Sequence, residues 1–81
     1  MKMEEAFGIV LRANRNQKGF SQEELAHMCD LDRTFISLLE RGKRNPTLNT
    51  IFTISTNLNK KPSKLIQEVE LLIDNKGESI D

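Results

Sequence analysis

Apolar residues along this chain recur at steps of three and four rather than two, so helices are predicted and strands are not. Phe7, Val10 and Leu11, with Ile9 beside them, form the inward stripe of a first helix from about residue 3 to 17. Gly19 closes it as a left-handed cap, and Lys18 suits its negative end. Ser21 followed by Glu24 is a capping box, and it opens a second helix whose apolar side is Leu25, Met28 and Cys29. Asp32 is placed to cap a third helix reaching Arg41, with Ile36 and Leu39 inward and Gly42 as its stop. After the loop Lys43-Arg44-Asn45-Pro46, Thr47 caps a fourth helix that turns Leu48, Ile51, Phe52, Ile54 and Leu58 toward the interior. Pro62 suits the first turn of a fifth, along which Leu65, Ile66, Val69, Leu72 and Ile73 recur at helical spacing. The predicted fold is all-α, a five-helix bundle over residues 1–74 followed by a polar, frayed tail, 75–81.

At 81 residues with 37% apolar content, the chain has room for one small domain and little core to spare. Its longest uncharged apolar run, Ala6 to Leu11, is far short of the roughly 20 residues of a membrane helix. Glu4 and Glu5 stand where a secretory leader would be basic, so the cytoplasm is the expected location. One cysteine, Cys29, and one histidine, His27, supply neither a disulfide nor a zinc ligand set, so no metal and no cofactor are expected. No Gly-rich phosphate loop or nucleophile arrangement points to an enzyme, and His27 is expected on the surface.

The net charge of zero hides a division that does bear on function. Residues 1–32 carry 4 basic and 6 acidic side chains, residues 33–64 carry 7 and 1, and residues 65–81 carry 1 and 5, giving −2, +6 and −4. A basic middle segment of this kind can meet a polyanion even in a neutral chain. From residue 33 on it overlaps a spacing, Gln22 to Arg41, that fits a helix-turn-helix. Ala26 is the small residue at the close approach of the two helices, and Leu25, Cys29, Leu31, Ile36 and Leu39 are the apolar contacts. Asp30 stands where the turn asks for positive φ, one of the few side chains that tolerate it. The third helix would then present Arg33, Thr34 and Ser37 to base edges, with Phe35 and Leu38 able to meet a thymine methyl or to pack instead. Ser21, Gln22, Lys43, Arg44 and Asn45 are the candidate phosphate contacts.

Residues from about Gly8 to Val69 resemble the Cro/repressor-type (XRE) helix-turn-helix family. The residues that carry the resemblance are Leu11-Arg12 with Arg15, the run Lys18 to Ala26, Ile36-Ser37, and Glu40-Arg41-Gly42-Lys43-Arg44-Asn45-Pro46-Thr47-Leu48. Leu31 to Ser37 is similar to the controller proteins of restriction–modification systems, small homodimeric activator-repressors. The chain departs from the family at Leu38, where a polar residue is common. The resemblance implies a lambda-repressor-like bundle that binds double-stranded DNA and regulates transcription, and an ion pair between Arg12 and Glu40 joining the first helix to the end of the third. A homodimer would read a roughly palindromic site through two third helices. The stripe Leu65, Ile66, Val69, Leu72 and Ile73 is the candidate dimer contact, unless a small bundle needs all of it internally. An antitoxin that also binds a toxin, or an adaptor that holds another protein, remains open on the same scaffold.

Overall fold

The computed structural model describes residues 1–75, and all of its regular structure there is helical. Five helices follow in order: α1 Met3–Lys18, α2 Gln22–Cys29, α3 Arg33–Glu40, α4 Leu48–Asn57 and α5 Pro62–Asn75. Of the predicted tail 75–81, Asn75 ends α5 and the remainder lies outside the described residues. Among the described residues no helix is long and apolar enough to cross a membrane, and no group of His, Cys, Asp and Glu is placed to hold a metal ion.

Local chemistry fixes the helix ends. Gly19, at φ 78°, terminates α1 with its N–H on the Arg15 and Asn16 carbonyls. Ser21 Oγ accepts from the Glu24 N–H at 3.0 Å while Glu24 Oε1 accepts from the Ser21 N–H at 2.8 Å, the predicted capping box. Thr47 caps α4 by accepting from the Thr50 N–H at 3.1 Å. Asp32 occupies the cap position of α3, but its side chain makes no capping bond. The end of α4 shows what the sequence did not announce: Asn59 takes φ 55°, and Lys60 N–H reaches back to the Ser55 carbonyl at 2.9 Å.

The helices enclose one core. Ala6, Phe7, Val10 and Leu11 meet Ile36 and Leu39 on one side and Leu65, Val69 and Ile73 on the other, while Leu25, Ala26, Cys29, Ile51, Ile54 and Leu58 close it. Gly8 is where α1 crosses the end of α3. A Cβ there would stand 2.5 Å from the Leu39 carbonyl oxygen and 2.6 Å from that of Glu40, so only glycine fits.

Four expected core residues point outward: Ile9, Met28, Leu48 and Phe52. Helical steps explain most of them. With Phe7, Leu11 and Asn14 central to the buried face of α1, Ile9 lies on its far side, and Met28 and Phe52 fall just beyond the flanks of theirs. Leu48 is the first residue of α4, at the open end of that helix. The α5 stripe also divides. Leu65, Val69 and Ile73 are consumed by the protomer's own core, which corrects their assignment to a dimer contact, while Ile66 stays exposed and Leu72 half-buried.

Candidate nucleic-acid interface

The elbow between α2 and α3 is a left-handed turn at Asp30, φ 56° and ψ 43°. Its N–H bonds the His27 carbonyl at 3.2 Å, and Leu31 N–H bonds that of Ala26 at 2.8 Å, which closes α2 and redirects the chain. Ala26 and Leu25 are buried where α3 packs on α2, as the helix-turn-helix spacing requires. His27 is on the surface.

On α3 the buried face is Ile36, Leu39 and Glu40. Arg33 and Thr34 are exposed in its first turn; Ser37 and Leu38 are half-buried, and Phe35 packs partly against the core. Because no side chain caps this helix, the free backbone N–H groups of its first turn add positive potential beside Arg33. The other end of α3 gathers the candidate phosphate contacts. Lys43 N–H bonds the Leu38 carbonyl at 2.9 Å and ties the following loop to the helix, with Lys43, Arg44 and Asn45 all exposed. Gln22, the first residue of α2, reaches the same end: its Nε2 donates to Glu40 Oε1 at 3.0 Å. Ser21 Oγ is engaged by its cap, but its hydroxyl hydrogen is still a donor. An eight-residue α3 is about 12 Å long, so one surface carries base-reading candidates at one end and phosphate candidates at the other.

Glu40 is the electrostatic centre beneath this surface. Its side chain has no exposed area, and it accepts from Arg15 Nε at 2.5 Å, Arg15 Nη2 and Gln22 Nε2 at 3.0 Å each, and Arg12 Nε at 3.3 Å. Burial pushes the carboxyl's pKa up, but the bond from Arg15, then that from Gln22, the Arg15 charge and the Arg12 bond together hold it below the ordinary value. The expected Arg12–Glu40 pair is therefore present but secondary, since Arg12 is 54% exposed and Arg15 only 11%. Arg15 also donates from Nη1 to the Phe20 carbonyl at 2.8 Å, bracing the loop into α2. The inward face of Arg15 was legible, because it lies four residues after the inward Leu11, but its partner was not.

A second polar group escaped the sequence reading. Asn14, buried on α1, donates from Nδ2 to the Val10 carbonyl at 2.8 Å and to Glu68 Oε1 at 2.9 Å, and accepts from Lys60 Nζ at 2.5 Å. Lys60 also pairs with Glu68, so α1, the α4–α5 corner and α5 share one network. Burial raises the Glu68 pKa, but the Lys60 and Asn14 bonds and the Lys60 charge outweigh it and lower the value. Cys29 is buried and its pKa raised, by desolvation against a lowering bond to Asn57, so the thiol stays protonated and unreactive.

Residues 11–65 match the helix-turn-helix family. The chain belongs to that family. It is 48% identical over 61 residues to the control protein C.BamHI of Bacillus amyloliquefaciens, covering 74% of this chain and 75% of that protein. Among solved structures it resembles the restriction-modification controller protein C.AhdI from Aeromonas hydrophila, with 42% identity, TM-score 0.74, and 76% and 94% of the two chains covered. It also superposes, at TM-score 0.73 and 33% identity over 85% of this chain and 96% of the other, on the controller protein C.Esp1396I, whose tetramer was captured on its natural 35 base-pair operator. The protein is a DNA-binding transcription regulator of the controller type.

Proposed function

We propose that the chain acts in the cytoplasm as a homodimeric controller that binds a roughly palindromic operator, including one at its own promoter, and so serves a restriction–modification system. The observation that carries this reading is the placement of Arg33 and Thr34, exposed in the first turn of α3, next to an elbow that presents that turn away from the core. Arg33 suits the O6 and N7 acceptors of guanine; Thr34 and Ser37 donate or accept; Phe35 and Leu38 offer apolar surface to a thymine methyl. Ser21, Gln22, Lys43, Arg44 and Asn45 hold phosphates and set the register.

Support for a dimer comes from apolar surface the protomer leaves uncovered. Leu48 and Phe52 lie one turn apart on α4, 74% and 57% exposed, and Ile66 is 44% exposed on α5. Ile66 also borders an apolar groove of about 250 Å³ lined by Met3, Phe7, Ile51, Val69 and Ile73. A two-fold pairing through this region would set two α3 helices about 34 Å apart on one DNA face.

Selection of sheared host-genome DNA by the protein at roughly 150 mM salt tests the reading, because non-specific binding is weak there. Enrichment of a two-fold symmetric site is expected. Within that site Arg33→Ala should cost about 1–3 kcal/mol and relax one base position, whereas Lys43→Ala should weaken all sequences alike. Equal losses on operator and random duplex for both variants would contradict the division of labour. An adaptor would instead co-purify with a stoichiometric protein and enrich no site.

A further inference from the structure

Gln22 does not hang free over the DNA-facing surface. Its amide nitrogen is held 3.0 Å from Oε1 of Glu40, a carboxylate with no exposed side-chain area that belongs to the opposite helix of the motif. An ionised carboxylate only accepts hydrogen bonds, so the amide must turn its nitrogen toward Glu40 and its oxygen away. One N–H of that nitrogen is then fixed by Glu40, and the other is the side-chain donor left for a phosphate. Beside it are the backbone N–H groups of Gln22 and Glu23 at the start of α2; that of Glu24 is already taken by Ser21 Oγ.

The buried carboxylate does not make this place repulsive to an anion. Arg12 and Arg15 both bond Glu40, leaving the cluster with one net positive charge. Arg12 Nε and Gln22 Nε2 bond the same oxygen, at 3.3 and 3.0 Å, and the outer guanidinium nitrogens of Arg12 bond nothing among the described residues.

We propose that Glu40 is a positioning residue for DNA binding: it acts through Gln22, presetting the amide so that the start of α2 receives a backbone phosphate without reorganisation. The inference rests on the reading of Gln22 as a phosphate contact and adds what orients it. Because Glu40 ends α3, the same carboxylate ties the phosphate seat to the helix that reads bases.

A double-mutant cycle on a random-sequence duplex separates this role from a structural one. Gln22→Ala, Glu40→Gln and the double variant are compared with the parent protein at low salt, at a temperature where far-ultraviolet circular dichroism shows all four folded. A glutamine at position 40 both donates and accepts, so it no longer dictates which way the Gln22 amide faces. Gln22→Ala should lower affinity about tenfold, as loss of a charge-assisted hydrogen bond does. Glu40→Gln also raises the net charge of the cluster from one to two, which by itself strengthens the pull on a phosphate, so its role is read from the coupling of the two changes. In the Glu40→Gln background Gln22→Ala should cost only about threefold. A tenfold cost of Gln22→Ala in both backgrounds would mean that Glu40 does not act through Gln22 and would overturn the proposal. If Glu40→Gln is not folded, the cycle is run with Arg15→Met and Glu40→Gln as a single combined change, which removes both buried charges. Failure of the parent protein to bind any duplex would overturn the DNA reading itself, an outcome distinct from either result of the cycle.

Discussion

Glu40 carries a charge into a place with no exposed surface of its own, and its neighbours decide what that costs. Arg15, 11% exposed and bonded through two nitrogens, is the partner that compensates it. Glu40→Ala would leave Arg15 uncompensated and should destabilise the fold by about 3–5 kcal/mol in urea unfolding. Arg12→Ala removes one 3.3 Å bond from a half-exposed side chain and should cost only about 0–1 kcal/mol. Equal losses would mean that Arg12 and Arg15 share the buried charge. The resemblance pointed to Arg12, because a sequence match gives positions but not which of two arginines three residues apart is covered by its surroundings.

At the scale of an element, two close approaches set the geometry of the motif. Asp30 accepts a left-handed backbone at φ 56° that most side chains resist, so Asp30→Ala should destabilise by about 1 kcal/mol while Asp30→Gly should not. Thermal unfolding of the two variants checks the sign, and equal losses would show that the Asp30 side chain, rather than its backbone, carries the turn. Gly8 meets the Leu39 and Glu40 carbonyls, backbone atoms that cannot rotate aside. Gly8→Ala should therefore cost about 1–3 kcal/mol despite the better helix propensity of alanine. The elbow was legible from residue type and spacing. The Gly8 crossing was not, since a glycine inside a helical pattern gives no sign of what lies opposite it.

For the whole molecule, small size makes these local terms decisive. A chain of this length has a stability of roughly 4–12 kcal/mol, so loss of the Glu40 cluster alone removes a large share of it. Glu40 and Glu68 both have pKa values below the ordinary 4.5 in the folded state. Each therefore contributes stability that is fully present above 4.5 and is lost as the pH falls through the lowered folded value. Melting temperatures should hold near neutrality and drop at acid pH, with a shallower drop in Glu68→Gln; identical acid profiles for that variant and the parent would exclude Glu68 as a contributor. Assembly follows from the same economy. Phe52→Asp replaces a side chain that is 57% exposed, so the protomer should fold as before while analytical ultracentrifugation shows the dimer weakened. An unchanged sedimentation profile in a dimeric parent would move the contact away from α4.

The sequence by itself determined five helices, the caps at Gly19, Ser21 and Thr47 and the identity of the two helices that form the DNA-reading motif, because periodicity, capping boxes and turn residues act over a few positions. It also determined that Arg33 and Thr34 face outward, since they stand on the side of α3 away from Ile36 and Leu39. Only the tertiary structure decided which apolar residues remain uncovered, that Arg15 rather than Arg12 neutralises Glu40, and that Gln22 and the Asn14–Lys60–Glu68 group are held across helices. Most of those contacts join residues 18 to 54 positions apart in the chain, where burial and hydrogen bonding are set by which helix lies opposite and leave no local pattern to read.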